Sequence, residues 1–320
     1  MKDISSIISP LVVLTIGLTM FVFALQSCGN AHRGSASLSS TDADALVEDI
    51  REFVDGKPGK FGVAVIVDGK DTVVFNNSGD YPMMSMFKLH EALAVCHRLD
   101  VESSGLDKMI EINRNNLDPH TWSPMLEDHA EDVFSLSIGE LIDYILVHSD
   151  NNASNLLFDE IISVPEADAY VRSIIPDGEF SMRYKESEMK ADIYKGYENR
   201  TSPMAYASLV NRVFTDSLVC DEKQAFIRQS MRNCNTGMGR IAAGLPEGEG
   251  IVFSHRTGSG YTNDRGEVIA INDGGFVELP SGKKYTVVVM VKDFGGDQEA
   301  AEEIMAQISK MVFDYANEID

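Results

Sequence analysis

The order of periodicities along the chain constrains its fold more than any single motif. "GKFGVAVIVDGKDTVVFNN", residues 59–77, holds two β-rich runs that turn at Asp68-Gly69, as a hairpin does. Strand patterns then give way to amphipathic helical ones over residues 84–99, 137–148, 151–162, 202–215 and 221–233. They return in "GIVFSHR", "GEVIAINDGGFVEL" and "KKYTVVVMVKDF", three consecutive antiparallel strands. A capped helix, "TDADALVEDIREFVDG", precedes the hairpin, and "DQEAAEEIMAQISKMVFDYANEI" closes the chain as another. Two strands first and three last predict an α+β fold. One five-stranded antiparallel sheet with flanking helices is closed by both ends of the chain, around an all-helical insertion.

The first 28 residues have a different character. Residues 7–25, "IISPLVVLTIGLTMFVFAL", carry no charge, follow Lys2 and end in "LQSC", the pattern of an export leader meeting a lipoprotein-type cleavage box. Cys28 is then the lipidation site, 1–28 the signal peptide and 29–41 a flexible tether of small and polar residues. So long an apolar run is also compatible with an uncleaved membrane anchor. Both readings put the globular part, 42–320, outside the cytoplasm, with only the N terminus meeting a membrane. The 50 acidic residues against 27 basic ones, a formal charge of −23, oppose nucleic acid or an anionic membrane surface as partner. Beyond Cys28 the chain has Cys96, Cys220 and Cys234, which allow at most one disulfide. Cys96, in an apolar helical pattern, reads as a buried, inert thiol. No zinc-type spacing occurs, and "HEALA" at His90 lacks the second histidine of a zinc motif, so no metal is expected.

Chemistry is concentrated in three short stretches. "YPMMSMFKLHEAL" places Ser85 and Lys88 three residues apart at the start of an apolar helix, hence on one face. A hydroxyl becomes a useful nucleophile when a neighbouring base takes its proton, and an amine can do so once burial lowers its pKa. Ser-x-x-Lys also occurs at Ser187 and Ser281, but those lie in a polar loop and a Pro-Gly turn. "HSDNNAS" adds Ser149, a hydroxyl able to relay a proton, and Asn151, an amide able to bind a carbonyl. "SHRTGSGY" adds Arg256 and Thr257, suited to a carboxylate, with Gly258 permitting close approach of a ligand and Ser259 beyond it. Each triplet alone is ordinary capping or strand-end material; their order gives them weight.

Ser-x-x-Lys, Ser-Asp-Asn and a basic-Thr-Gly triplet, in that order, resemble the motif set of class A serine β-lactamases, over about residues 45–318. "YPMMSMFK", "LDPHTWSP", "SDNNASNLLF" and "HRTGSGY" are similar to the exported cephalosporinase branch that includes extended-spectrum members. The resemblance implies an αβ lobe (about 42–83 and 236–320), an all-α lobe (about 84–235) and an active site between them. It implies hydrolysis of penicillins or cephalosporins without cofactor or metal, by a monomer in the periplasm or lipid-anchored to the bacterial envelope. Ser85 is then the acylated nucleophile, Lys88 its basic partner, Ser149 the relay to the β-lactam nitrogen and Asn151 a contact to the acylamide side chain. Arg256 and Thr257 hold the substrate carboxylate, and the backbone N–H groups of Ser85 and Ser259 form the oxyanion hole. Arg240 is either a second charge for that carboxylate or a surface arginine, and Trp122 either an aromatic wall at the rim or a packing residue. Glu186, in "YKESEMKAD", takes the place of the base that activates the deacylating water, with Glu188 as its rival. That carboxylate separates a hydrolase from the transpeptidases, carboxypeptidases and β-lactam sensors that share the other motifs.

Four features depart from the family pattern. Arg256 stands where lysine is usual, and Lys190 where asparagine often helps hold the deacylating water. Tyr184 and Asn199 replace an arginine-aspartate clasp of the loop that carries Glu186, so the loop must be held differently. Ala92 occupies the place of a common disulfide cysteine.

Overall fold

A computed structural model describes residues 40–318 other than 249; the leader, Cys28 and most of the tether lie outside the described residues. The chain begins with α1 (Ser40–Val54), β1 (Lys60–Val67), β2 (Asp71–Phe75), β3 (Tyr81–Pro82) and α2 (Phe87–Val101). A mainly helical stretch follows: β4 (Met109–Asn113), α3 (Pro124–Asp128), β5 (Val133–Ser137), α4 (Ile138–Val147), α5 (Asn151–Glu160) and α6 (Val164–Ile174). Then come β6 (Phe180–Ser181), α7 (Glu186–Ala191), β7 (Arg200–Thr201), α8 (Pro203–Thr215) and α9 (Asp221–Arg232). The last elements are β8 (Val252–Ser259), β9 (Val268–Glu278), β10 (Lys284–Phe294) and α10 (Gln298–Glu318).

The expected sheet is present, with order β2-β1-β10-β9-β8 and every neighbour antiparallel. The early hairpin meets the late strands along β1 and β10, in register from Lys60 opposite Lys292 to Val67 opposite Tyr285. Alternate residues feed two cores, as the period of a strand requires. Val63, Val65, Val287 and Val289 pack with Leu46, Ile50, Met305 and Ile308 of α1 and α10. Ala64, Ile66, Val288 and Met290 pack the other way, with Leu209 and Val210 of α8 and with the helical lobe. β8 is left as an edge strand, and the open edge carries Arg256 to Ser259.

α2 is buried along most of its length, with Leu89, Ala92, Leu93, Val95, Cys96 and Leu99 all inaccessible, so it forms the axis of the helical lobe. Two features correct the expectation of an all-helical insertion. β4 and β5 pair as a two-stranded ribbon, and β3, β7 and β6 form a small sheet. Runs of two to five residues are too short to leave a clear alternation. α8, although inside the insertion, covers one face of the main sheet, because its buried Ala205, Leu209 and Val210 meet the strands. α6 was also not anticipated, yet Ser163 and Glu166 close a capping box around Pro165 at its start, a signal present in "SVPE". Cys96, Cys220 and Cys234 are all free thiols, and Cys96 is buried as expected.

Candidate active site

Ser85 sits in a single 3₁₀ turn, Met84–Met86, that runs straight into α2 and puts Lys88 in its first helical turn. Met84 has φ +46° and Ser149 φ +65°, left-handed conformations that cost a non-glycine residue about 1–3 kcal/mol each. Packing holds both in place: Met84 is wedged against Ile269 and Ala270. Asp150 caps α5 through Ala153 N at 2.8 Å and accepts from Met125 N at 2.8 Å, pinning the loop beside Ser149.

Lys88 is fully buried and its Nζ is the hub of the site. It lies 3.1 Å from Ser85 Oγ, 2.9 Å from Glu186 Oε1, 2.6 Å from Asn151 Oδ1 and 2.9 Å from the Ser149 carbonyl, with Ser149 Oγ at 3.4 Å. Burial removes water from the ammonium and lowers its pKa; Glu186 opposes that shift and Arg256 adds to it, leaving the amine a stronger candidate base than a surface lysine. Glu91, one turn further along α2, is buried and accepts from Ser154 at 2.7 Å. Burial raises its carboxyl well above the usual range, so it adds little charge beneath Lys88.

Glu186 opens α7, is 4 % exposed, and accepts from Ser85 Oγ at 3.0 Å through the same oxygen that meets Lys88. Its rival Glu188 instead accepts from Lys185 N at 3.1 Å and closes the N-terminus of α7. Arg256 reaches across from β8: Nη2 donates to Ser149 Oγ at 2.6 Å, and Nη1 lies 3.5 Å from Thr236 Oγ1. Thr236 Oγ1 is also 2.6 Å from Thr257 Oγ1. A Cβ on Gly258 would lie 2.3 Å from the Met83 carbonyl, so only glycine lets β8 run this close to the nucleophile turn.

Ser85, Ser149, Asn151, Glu186, Thr257 and Ser259 line one cleft of about 590 Å³, with Lys88 and Arg256 fully buried behind them. Trp122 lies on the rim, 59 % exposed, with Nε1 donating to the His148 carbonyl at 2.8 Å. Arg240 is buried, not a surface residue. It donates to Ser259 Oγ at 2.6 Å, to the Asn272 carbonyl at 2.8 Å and to Glu302 at 3.0 Å, and so meets the cleft only through Ser259. Thr236 and Asp150 were missed in sequence. Asp150 lay inside the Ser-Asp-Asn triplet, but nothing local marked Thr236, which reaches the cleft from a turn 21 residues before Thr257.

The departures from the family pattern find partners. Asn199 is buried and replaces the ionic clasp: Oδ1 accepts from Arg183 N at 2.7 Å and Tyr184 N at 3.0 Å, while Nδ2 donates to the Tyr184 carbonyl at 2.7 Å. Replacing Asn199 with alanine orphans three backbone groups. It is expected to destabilise the protein by about 2–3 kcal/mol in denaturant titration. Lys190 turns to Asp118, Nζ to Oδ2 2.5 Å, on the same wall of the cleft. Asp118 is itself fixed by both ends of the Asn152 amide at 3.0 Å. The Lys190 ammonium is thereby paired instead of left free beside Glu186.

Over residues 45–316 the chain matches the Beta-lactamase enzyme family, and it belongs to that family. It is 44 % identical to a β-lactamase of Phocaeicola vulgatus over 95 % of this chain and 94 % of that one. It is 32 % identical to the extended-spectrum β-lactamase PER-1 of Pseudomonas aeruginosa, over 87 % and 89 %. Among solved structures, the TLA-3 extended-spectrum β-lactamase superposes with a TM-score of 0.82 at 32 % identity, covering 85 % of this chain and 98 % of that one. A class A β-lactamase from Bacteroides cellulosilyticus gives 0.81 at 29 %, covering 86 % and 98 %.

Proposed function

We propose that the cleft residues divide the work of a class A serine β-lactamase, an enzyme that opens the β-lactam ring through a serine acyl-enzyme and so confers resistance to these antibiotics. Ser85 Oγ attacks the ring carbonyl. The charge of Lys88 decides where the Ser85 proton goes: an ammonium can only donate to Oγ, which turns the hydroxyl proton to Glu186, whereas a neutral amine can take it directly. Ser149, held by Arg256, passes a proton to the departing β-lactam nitrogen. Arg256 and Thr257 bind the carboxylate, with Ser259 oriented by Arg240, and Asn151 meets the acylamide group. Backbone N–H groups of Ser85 and Ser259 stabilise the oxyanion, a contribution of about 3–4 kcal/mol per donor in a comparable serine enzyme. Glu186 then activates water against the ester.

The observation that carries hydrolysis, as against acylation alone, is the single carboxylate oxygen of Glu186 within 3.0 Å of Ser85 Oγ and 2.9 Å of Lys88 Nζ. Mixing the purified protein with excess chromogenic cephalosporin, while following intact mass, tests it. Many turnovers with no lasting adduct are expected; one equivalent of ring opening with a persistent adduct would instead define a penicillin-binding or sensor protein. The names of the extended-spectrum relatives support an extended range of β-lactam substrates. Leader 1–28 and Cys28 support export and lipid anchoring, and the net charge of −23 opposes a nucleic-acid partner.

A further inference from the structure

Among the described residues lining the cleft, one is acidic, Glu186, and one is a lysine, Lys190. Both stand on α7, four residues apart and so on one face of it. Lys190 Nζ lies 2.5 Å from Asp118 Oδ2, in an ion pair whose side chains are 33 % and 35 % exposed. Asp118 belongs to the loop that also supplies Thr121, whose Oγ1 accepts from Asn151 Nδ2 at 2.9 Å. The neighbouring Asn152 Nδ2 donates to the Asp118 carbonyl at 3.0 Å. The lysine is therefore built into the wall beside Asn151, the residue assigned to the acylamide group, whereas Arg256 reaches the cleft from β8.

The pair positions the ammonium without consuming it. A lysine ammonium has three N–H donors, and Asp118 takes one; among the described residues Nζ has no second acceptor. Asp118 Oδ1 accepts from the His120 N–H at 2.8 Å, which fixes the carboxylate from its other side. Lys190 first, and then that N–H, hold the Asp118 carboxyl below the usual carboxylate range, so the pair stays charged at neutral pH. Two donors remain for the cleft. A local cation matters in this chain, because 50 acidic residues against 27 basic ones set up a field that opposes an anion unless a positive charge stands where it binds.

Resting on the β-lactamase reading above, we propose that Lys190 is a specificity-determining residue: its ammonium binds a carboxylate on the acylamide side chain, so that β-lactams carrying two acidic groups, one on the ring system and one on the side chain, are favoured substrates. Arg256 and Thr257 hold the first carboxylate and Lys190 the second. No bond is made or broken at Lys190. A side chain without an acid leaves the two spare donors to water and gains nothing from them. Asp118 tempers the attraction, since its own charge repels the incoming carboxylate while it holds the ammonium in place.

The test compares benzylpenicillin with its α-carboxy derivative, which differ by that one group, on the purified protein and on its Lys190→Met, Lys190→Arg and Asp118→Asn variants. kcat/KM is read for each pair, because it excludes deacylation and any effect of the substitution on that step. Lys190→Met is expected to lower it about tenfold further for the α-carboxy compound than for the parent, the loss of one partly exposed charged hydrogen bond, and Lys190→Arg to keep most of the preference. Asp118→Asn should shift the ratio the opposite way. Added salt should shrink the discrimination of the unmodified protein and leave that of Lys190→Met in place. A parallel change for both penicillins in Lys190→Met overturns the proposal and leaves the hydrolase reading standing. Acylation of both without turnover overturns hydrolysis alone, and the same comparison is then read from acylation rates by intact mass. A protein that reacts with neither penicillin overturns both.

Discussion

Ser85→Ala is expected to abolish β-lactam turnover, with kcat falling on the order of 10⁶-fold, as when the nucleophile of another serine hydrolase is removed. Nothing else in the cleft can replace it. The second hydroxyl within reach of Lys88 is Ser149 Oγ, at 3.4 Å, and Arg256 already holds that oxygen at 2.6 Å. Ser149 also occupies a left-handed conformation fixed by the Asp150 cap, so it cannot swing to the Ser85 position without breaking the start of α5. Intact mass after incubation with a cephalosporin should therefore show no adduct at all. Substrate should still bind, because Arg256, Thr257 and Asn151 are untouched, and unchanged fluorescence-detected affinity would separate lost chemistry from lost folding.

The parts of this site that were legible in sequence were those governed by local geometry. Ser85 and Lys88 lie three residues apart, and a helical turn brings them together wherever the helix goes. β1 and β10 carry near-continuous apolar runs, which only a doubly covered central strand requires, so the sheet could be assembled from its two ends. Hidden contacts were those made across the chain by short polar side chains. Arg256 meets Ser149 over 107 positions, and Thr236 meets Thr257 over 21. The Asn199 clasp could be anticipated only as a gap, since an amide holding three backbone groups leaves no charge pattern to find. Arg240 illustrates the same limit: a buried arginine paired with Glu302 is indistinguishable in sequence from a surface one.

Glu186→Gln should have the second large effect and a different signature. The amide keeps the size of the side chain and can still accept through its oxygen from Lys88, so acylation by way of Lys88 survives. It cannot take a proton from water, however, and general-base catalysis is worth roughly 10²–10⁴-fold. Deacylation is expected to fall by that factor while acylation falls less, so the enzyme should give a burst of one equivalent and then stall, with the acyl adduct visible by mass. If acylation drops as far as deacylation, the proton of Ser85 leaves through Glu186 and not through Lys88, which is the direction the hydrogen bonds take when Lys88 is charged. The pairing of Lys190 with Asp118 bears on the same step. Asp118 holds the Lys190 ammonium at 2.5 Å, while the Glu186 oxygen is shared by Ser85 and Lys88. The Glu186→Gln burst thus reads the deacylation step on its own.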